Sequence, residues 1–144
     1  MTARNFFSKL EIKKIVAAIQ EAEKDTSGEI RVHIDNFCKG DAIERATEVF
    51  FKLKMNETVQ RNGVLIYLAV KDHKFAIIGD EGINNVVEND FWEDIKNDMT
   101  QSFRNNLFTD GIIYGVLRCG KKLKAYFPHQ ENDIDELSNE ISFE

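Results

Sequence analysis

The sequence predicts an α/β domain, with helices covering both faces of a small mixed sheet. Three observations carry this expectation. Segments with helical spacing alternate with strand-like runs in the order α-β-α-β-β-α-α. One run, Val64-Leu-Ile-Tyr-Leu-Ala-Val70, is apolar throughout, as befits a central strand covered on both sides. Only Lys71-Asp72-His73 separates it from the next run, Lys74-Phe-Ala-Ile-Ile78, so the two form a hairpin.

The first helix opens at Ser8, where Ser8-x-x-Glu11 is a capping box, and Phe7 and Ile12 are placed as its hydrophobic staple. Ile12, Ile15, Val16 and Ile19 form its apolar stripe, and Lys24-Asp-Thr-Ser-Gly28 ends it. In the first strand Ile30, Val32 and Ile34 alternate with Arg31, His33 and Asp35, which gives one polar or partly covered face. A second helix starts at Asp41 and carries Ile43, Ala46, Val49, Phe50 and Leu53 on one side. Asn62-Gly63 introduces the central strand, and the hairpin follows. Asn84 to Asn89 reads as a turn or short helix. Asp90-x-x-Glu93 is placed to cap the next helix, with Phe91, Ile95, Met99 and Phe103 facing inward. Phe108-Thr-Asp110-Gly111 marks a break before a last helix bearing Ile112, Ile113, Val116, Leu117 and Leu123, which runs up to Tyr126-Phe127-Pro128.

Beyond Pro128, the only proline, residues 129–144 hold six acids and no Lys or Arg. Ile134, Leu137, Ile141 and Phe143 are spaced to dock, so the division expected is one α/β domain over 1–128 and an acidic arm over 129–144 lying on it. A crossover helix makes the first two strands parallel. The hairpin makes the third antiparallel to both. Gly79 to Gly82 then sits at the amino ends of the first two strands with Glu29 and Asn62, and Asp35 lies at the opposite end.

Composition narrows the function classes. The chain has 144 residues, 42% apolar and 31% charged, which suits one soluble globular domain. A net charge of −6 argues against an extended nucleic-acid footprint. No run approaches the roughly 20 apolar residues of a membrane span. Met1-Thr-Ala-Arg-Asn-Phe-Phe7 has no apolar signal-peptide core, and Cys38 and Cys119 form no CxxC. The expectation is a cytoplasmic protein with reduced thiols and neither nucleic acid nor membrane as partner.

The run Gly79-Asp80-Glu81-Gly82 is the candidate functional loop. Two adjacent carboxylates repel by roughly 1 kcal/mol at about 4 Å in water, and by more near a protein surface. A divalent cation would relieve that. Asp80 and Glu81 are therefore read either as metal ligands or as a solvated acidic turn. Glu29 is the third ligand that the topology nominates, and Asn62 and the carbonyls around Gly79 add neutral oxygens. Asp110 is a further candidate whose alternative is helix capping. Calcium takes six to eight oxygens and magnesium six, so either ion suits such a set. Arg61 is placed to meet a phosphoryl oxygen. Asp35 reads as a strand-end turn residue and His33 as a packed strand residue, whereas His73 and His129 belong to exposed turns. No cysteine phosphatase loop, DxD pair or GxSxG is present, so catalytic residues are not assigned.

Asn62-Gly-Val-Leu-Ile-Tyr-Leu-Ala-Val70, then Asp72-His-Lys-Phe-Ala-Ile-Ile-Gly79, then Gly82-Ile83 resembles the core signature of the TPM-domain family. Phe103-Arg104 and Gly111-Ile112 resemble that family's later segment, and the likeness covers about residues 8–125. The resemblance implies a three-layer α/β/α sandwich and a divalent-cation site in loops at one edge of the sheet. It also implies the acid-phosphatase activity described for thylakoid-lumen members linked to photosystem repair. The chain looks like a short, soluble, bacterial-type branch. It departs from the pattern at Asp80-Glu81, at His73 and at Leu107. The leading expectation is a calcium- or magnesium-binding domain that recruits a phosphorylated ligand or a protein partner, with weak metal-dependent phosphatase activity at the same site left open. The alternative is a non-catalytic interaction module that uses the acidic arm.

Overall fold

The structure, a computed structural model, describes residues 2–130 and 137–144. After a 3-10 turn at Arg4–Phe6 come α1 (Lys9–Ala22), β1 (Glu29–Asp35), α2 (Ala42–Lys52), β2 (Gly63–Ala69) and β3 (Lys74–Gly79). They are followed by α3 (Glu81–Asn84), α4 (Glu93–Arg104), α5 (Phe108–Leu123) and β4 (Ser142–Phe143). The sheet order is β3-β2-β1-β4. β1 and β2 are parallel with Glu29 opposite Gly63, and β2 and β3 are antiparallel with Val64 opposite Gly79. The mixed sheet with helices on both faces that the sequence predicts is observed over β1, β2 and β3, and β4 adds a fourth strand that the sequence did not show.

Strand alternation sorts the two cores. Ile30, Val32 and Ile34 of β1 and Val64, Ile66 and Leu68 of β2 pack against α1, α4 and α5. Leu65, Tyr67 and Ala69 point the other way, against Ala46, Val49 and Phe50 of α2 and Met55. Arg31, His33 and Asp35 share this second face by the same alternation, and His33 and Asp35 are buried there. At the contact of α1 with α5, a Cβ at Gly120 would lie 2.8 Å from the Ala22 carbonyl oxygen, so only glycine lets these helices meet.

Local signals behave unevenly. Ser8 accepts from Glu11 N–H at 3.1 Å and Glu11 Oε1 from Ser8 N–H at 2.9 Å, which completes the capping box. The second Glu11 oxygen accepts from the Thr109 hydroxyl at 2.7 Å, tying the start of α1 to the first turn of α5. Asp41 caps α2 through Glu44 N–H at 3.1 Å. Asp90 does not cap α4. Residues 90–92 form a turn that buries Phe91 and Trp92, and helix begins only at Glu93. The break before α5 falls at Asn105–Leu107, where Asn106 has a φ of 60°, so Phe108 already belongs to the helix. That helix ends at Leu123, short of Tyr126-Phe127-Pro128. Ile43 faces solvent, 54% exposed, because α2 needs only Ala46, Val49 and Phe50 to cover its side of the sheet. Both cysteines are free and buried, and burial pushes the Cys119 thiol up to about 12.

Segment 137–144 returns to the sheet, where Ser142 and Phe143 pair in parallel with His33 and Ile34. Ile134 and the other arm residues in 131–136 lie outside the described residues.

Candidate functional site

The hairpin brings the acidic pair to the amino ends of β1 and β2, but not in a loop: Asp80 caps α3, accepting from Glu81 N–H at 2.8 Å, and Glu81 and Gly82 lie in that short helix. Asp80 N–H donates to the Gly63 carbonyl at 2.9 Å, and Glu29 N–H donates to the Asn62 carbonyl at 3.3 Å. Asp80, Glu81, Glu29 and Asn62 therefore share one end of the sheet, and each of their side chains is engaged locally. Asp80 accepts from Arg61 Nε at 2.9 Å and from a terminal guanidinium nitrogen at 3.0 Å, and the other terminal nitrogen meets Glu81 Oε1 at 3.0 Å. Arg61 thus supplies the positive charge that this carboxylate pair demands, and the hydrogen bond to Asp80 pushes the guanidinium pKa further up. Its backbone lies in the left-handed region at φ 51°. Gly82 N–H bonds the Arg61 carbonyl at 2.9 Å, so closely that a Cβ at Gly82 would stand 2.3 Å from the Gln60 carbonyl oxygen.

The remaining candidates are engaged or placed elsewhere. Glu29 Oε1 accepts from Leu137 N–H at 3.1 Å, Asn62 Nδ2 reaches Ser27 Oγ at 3.4 Å, and Asn84 Nδ2 donates to the Gly79 carbonyl at 3.0 Å. Asp110 sits in the first turn of α5 and is not its N-cap. Neighbouring Phe108 packs on His73 in the hairpin link, so Asp110 lies towards the opposite end of the sheet from Asp80.

That opposite end gathers a second set of polar groups. Asp35 closes β1 on the side facing α2, buried at 4% exposure. Its two oxygens have different partners. Oδ2 accepts from the Tyr67 hydroxyl at 2.6 Å and Arg45 Nε at 3.0 Å, whereas Oδ1 faces His33 Nε2 at 2.8 Å. Burial alone would raise the Asp35 pKa, but the hydrogen bonds from His33, Arg45 and Tyr67 outweigh it and hold the carboxyl well below the usual range. Burial and the hydrogen bond to Asp35 push the Tyr67 phenol far up. The rings of His33 and Tyr67, cross-strand neighbours, stack with centroids 5.9 Å apart and planes 9° from parallel. On its other side His33 Nδ1 meets Ser142 Oγ at 2.7 Å. Glu144 completes the set, ion-paired to Arg45 and Lys52 and 4.0 Å from His33 Nε2.

Asp35, Arg45 and Glu144 line a cleft of about 530 Å³ formed with loop 35–41 and one side of α2, and His33 is buried behind Asp35. Five carboxylates line it against Lys39 and Arg45, so the cleft favours cations. Among the described residues, His33, Asp35 and Glu144 are the group of three such side chains that can each offer one ligand atom, all within 4.8 Å of one another. The Ser142 hydroxyl lies 3.5 Å from the Val32 carbonyl, and when it donates there it accepts from His33 Nδ1–H. Nε2–H donates to Asp35 Oδ1, so a metal at Nε2 would take the place of that proton and leave the ring proton on Nδ1, held from behind by the Ser142 hydroxyl.

Sequence reasoning placed His33 in the core and Asp35 in a turn, and it singled out neither Arg45, Tyr67 nor Glu144. The usable signal was the alternation of Arg31, His33 and Asp35 on one strand face, beside the lone tyrosine of the apolar strand. The carboxyl ends of parallel strands, where loops and helix starts converge, are the usual ligand position in open α/β sheets.

The comparisons agree with this architecture. The chain is similar to BA42, a protein of the psychrophilic bacterium Bizionia argentinensis solved by NMR, with 48% identity and a TM-score of 0.90 over 95% of this chain and 94% of that one. The fold recurs in the N-terminal domain of cg2496 from Corynebacterium glutamicum, with 13% identity and a TM-score of 0.61 over 94% of this chain and 79% of that one. It recurs also in the N-terminal domain of a protein from P. gingivalis, with 14% identity and a TM-score of 0.67 over 88% of this chain and 83% of that one. No curated protein matches the chain. No helix among the described residues is long and apolar enough to cross a membrane. The family model of the TPM domain matches residues 1–122, and the chain belongs to the TPM-domain family.

Proposed function

We propose that the protein binds a divalent cation at the carboxyl end of β1, through His33 Nε2, Asp35 Oδ1 and the Glu144 carboxylate. The observation that carries this reading is the convergence of those three donors, of which Asp35 and Glu144 line an acidic cleft. The division of labour on Asp35 supports it. Tyr67 and Arg45 both hold Oδ2, which leaves Oδ1 turned to the imidazole. An imidazole with two carboxylates suits manganese or zinc better than calcium or magnesium, which prefer oxygen alone. At the Asp80–Glu81 pair a cation would compete with Arg61 for both carboxylates, whereas at the proposed site it competes with Arg45 and Lys52 for Glu144 and finds Asp35 Oδ1 clear of Arg45.

Titration of the chain with calcium, magnesium, manganese and zinc, followed by amide NMR, tests the proposal. The expected result is that shifts or paramagnetic broadening cluster at residues 33–41 and 141–144 and that His33→Gln weakens them. Perturbation confined to residues 79–82, or none with any of the four ions, would sink it.

A second reading, hydrolysis of a phosphoester in the same cleft, is favoured by Arg45. Its guanidinium stands beside the three donors, and phosphoryl transfer calls for a cation and a basic group side by side. Turnover of an aryl phosphate should then require added metal. Turnover that survives both chelation and His33→Gln would belong to something else.

A further inference from the structure

Segment 137–144 runs beside β1 from one end to the other. At the start Leu137 N–H donates to the Glu29 carboxylate at 3.1 Å, and at the finish Glu144 N–H donates to the Ile34 carbonyl at 3.0 Å. Between them only Ser142 and Phe143 form a ladder with β1. Two paired residues are a weak hold for a strand. Side chains do the rest. Ile141 is buried, Phe143 lies under the Arg4 guanidinium at 4.8 Å, Ser142 meets His33, and Glu144 meets Arg45 and Lys52. The ion pairs of Glu144 are partly exposed, and such pairs stabilise a structure little.

Two of these attachments, Ser142 and Glu144, also belong to the cation site. The site is therefore made of two parts held very differently. His33 and Asp35 are fixed in β1, which pairs with β2 along its whole length and lies under α2. Glu144 arrives on a segment whose own backbone pairing is minimal.

We propose that the C-terminal strand is a latch closed by the divalent cation, with Glu144 as the ligand that the strand delivers; this rests on the site proposed above. A ligand that uses Glu144 binds the docked arrangement better than the undocked one, so it shifts the strand towards docking. By reciprocity, docking strengthens binding of the cation by the same factor. Opening removes Ser142 from behind His33 and one carboxylate from the donor set, which leaves two ligands on β1. The latch thereby sets the affinity of the site through a segment remote from it in sequence.

Hydrogen exchange read by mass spectrometry on the full chain, with and without Mn²⁺, tests the latch, beside Mn²⁺ calorimetry on wild type and Glu144→Gln. In wild type, Mn²⁺ should slow exchange in a peptide spanning 137–144 by about tenfold and leave a β2–β3 peptide unchanged, a factor within the usual range of coupling. Glu144→Gln should lose that protection and bind Mn²⁺ about tenfold more weakly. Equal affinity in the two proteins, or Mn²⁺ binding without protection of 137–144, would overturn the latch while the site stands. No Mn²⁺ binding to wild type at all would overturn both.

Discussion

A carboxylate buried among Tyr67, His33 and Arg45 couples folding to proton uptake in one direction. The Asp35 pKa is lowered in the folded chain, so the unfolded chain takes up this proton first as pH falls. Its contribution to stability is complete above the unfolded carboxyl value of about 3.9 and is lost as pH drops from there through the folded value. Asp35→Asn should flatten the acid limb of a urea stability profile below about pH 4, and an unchanged limb would show that other carboxylates set it. Arg61 makes a second case at the same scale. Arg61→Gln keeps a side chain at the same left-handed position and removes the charge that holds Asp80 and Glu81 together. Calcium-dependent amide shifts at residues 79–82 should be stronger in the variant than in wild type. Equal responses would show that Arg61 does not compete with a cation there. The sequence displayed the awkward carboxylate pair plainly. It did not show that Arg61, on the segment leading into β2, would fold back onto both, because that depends on a backbone conformation that arginine rarely adopts.

The elements differ in how much of their end geometry is local. The Ser8 box and the Asp41 cap satisfy their helix starts with side chains a few residues away, and both were legible. Asp90 offered the same pattern, but burial of Phe91 and Trp92 decides where α4 begins. A capping bond contributes about 1 kcal/mol, whereas burying one large apolar side chain contributes about 1.5–3 kcal/mol, so packing prevails. The same competition governs Gly120. In an isolated helix Gly→Ala gains about 1 kcal/mol, yet here the new methyl would press on the backbone of Ala22. Gly120→Ala should therefore lower stability by about 1–3 kcal/mol in chemical denaturation, and a stabilised variant would mean that α1 and α5 can move apart cheaply.

At the scale of the whole molecule, the strand order along β1, β2 and β3 followed from two facts in the sequence: a helix between the first two strands and a three-residue link before the third. These also fixed which residues share each end of the sheet, and Glu29, Asn62 and Asp80 lie together as expected. The cleft at the other end was not legible, because it needs a face of α2 set against β1 and a carboxylate from the last residue of the chain. Periodicity finds elements, and contacts across more than a hundred residues, such as Ser142 on His33, leave no local trace. The seam of α1 with α5 has a kinetic consequence of the same origin. Glu11 and Thr109, 98 residues apart, meet across it, so that its loop closes only after much of the intervening chain is ordered, whereas the β2–β3 hairpin closes at once. Contacts made late in folding are absent from the transition state, so Gly120→Ala should speed unfolding and leave the refolding limb of the chevron nearly unmoved. The glycine that lets two helices touch is then chiefly a brake on opening, and sets how long the folded molecule lasts.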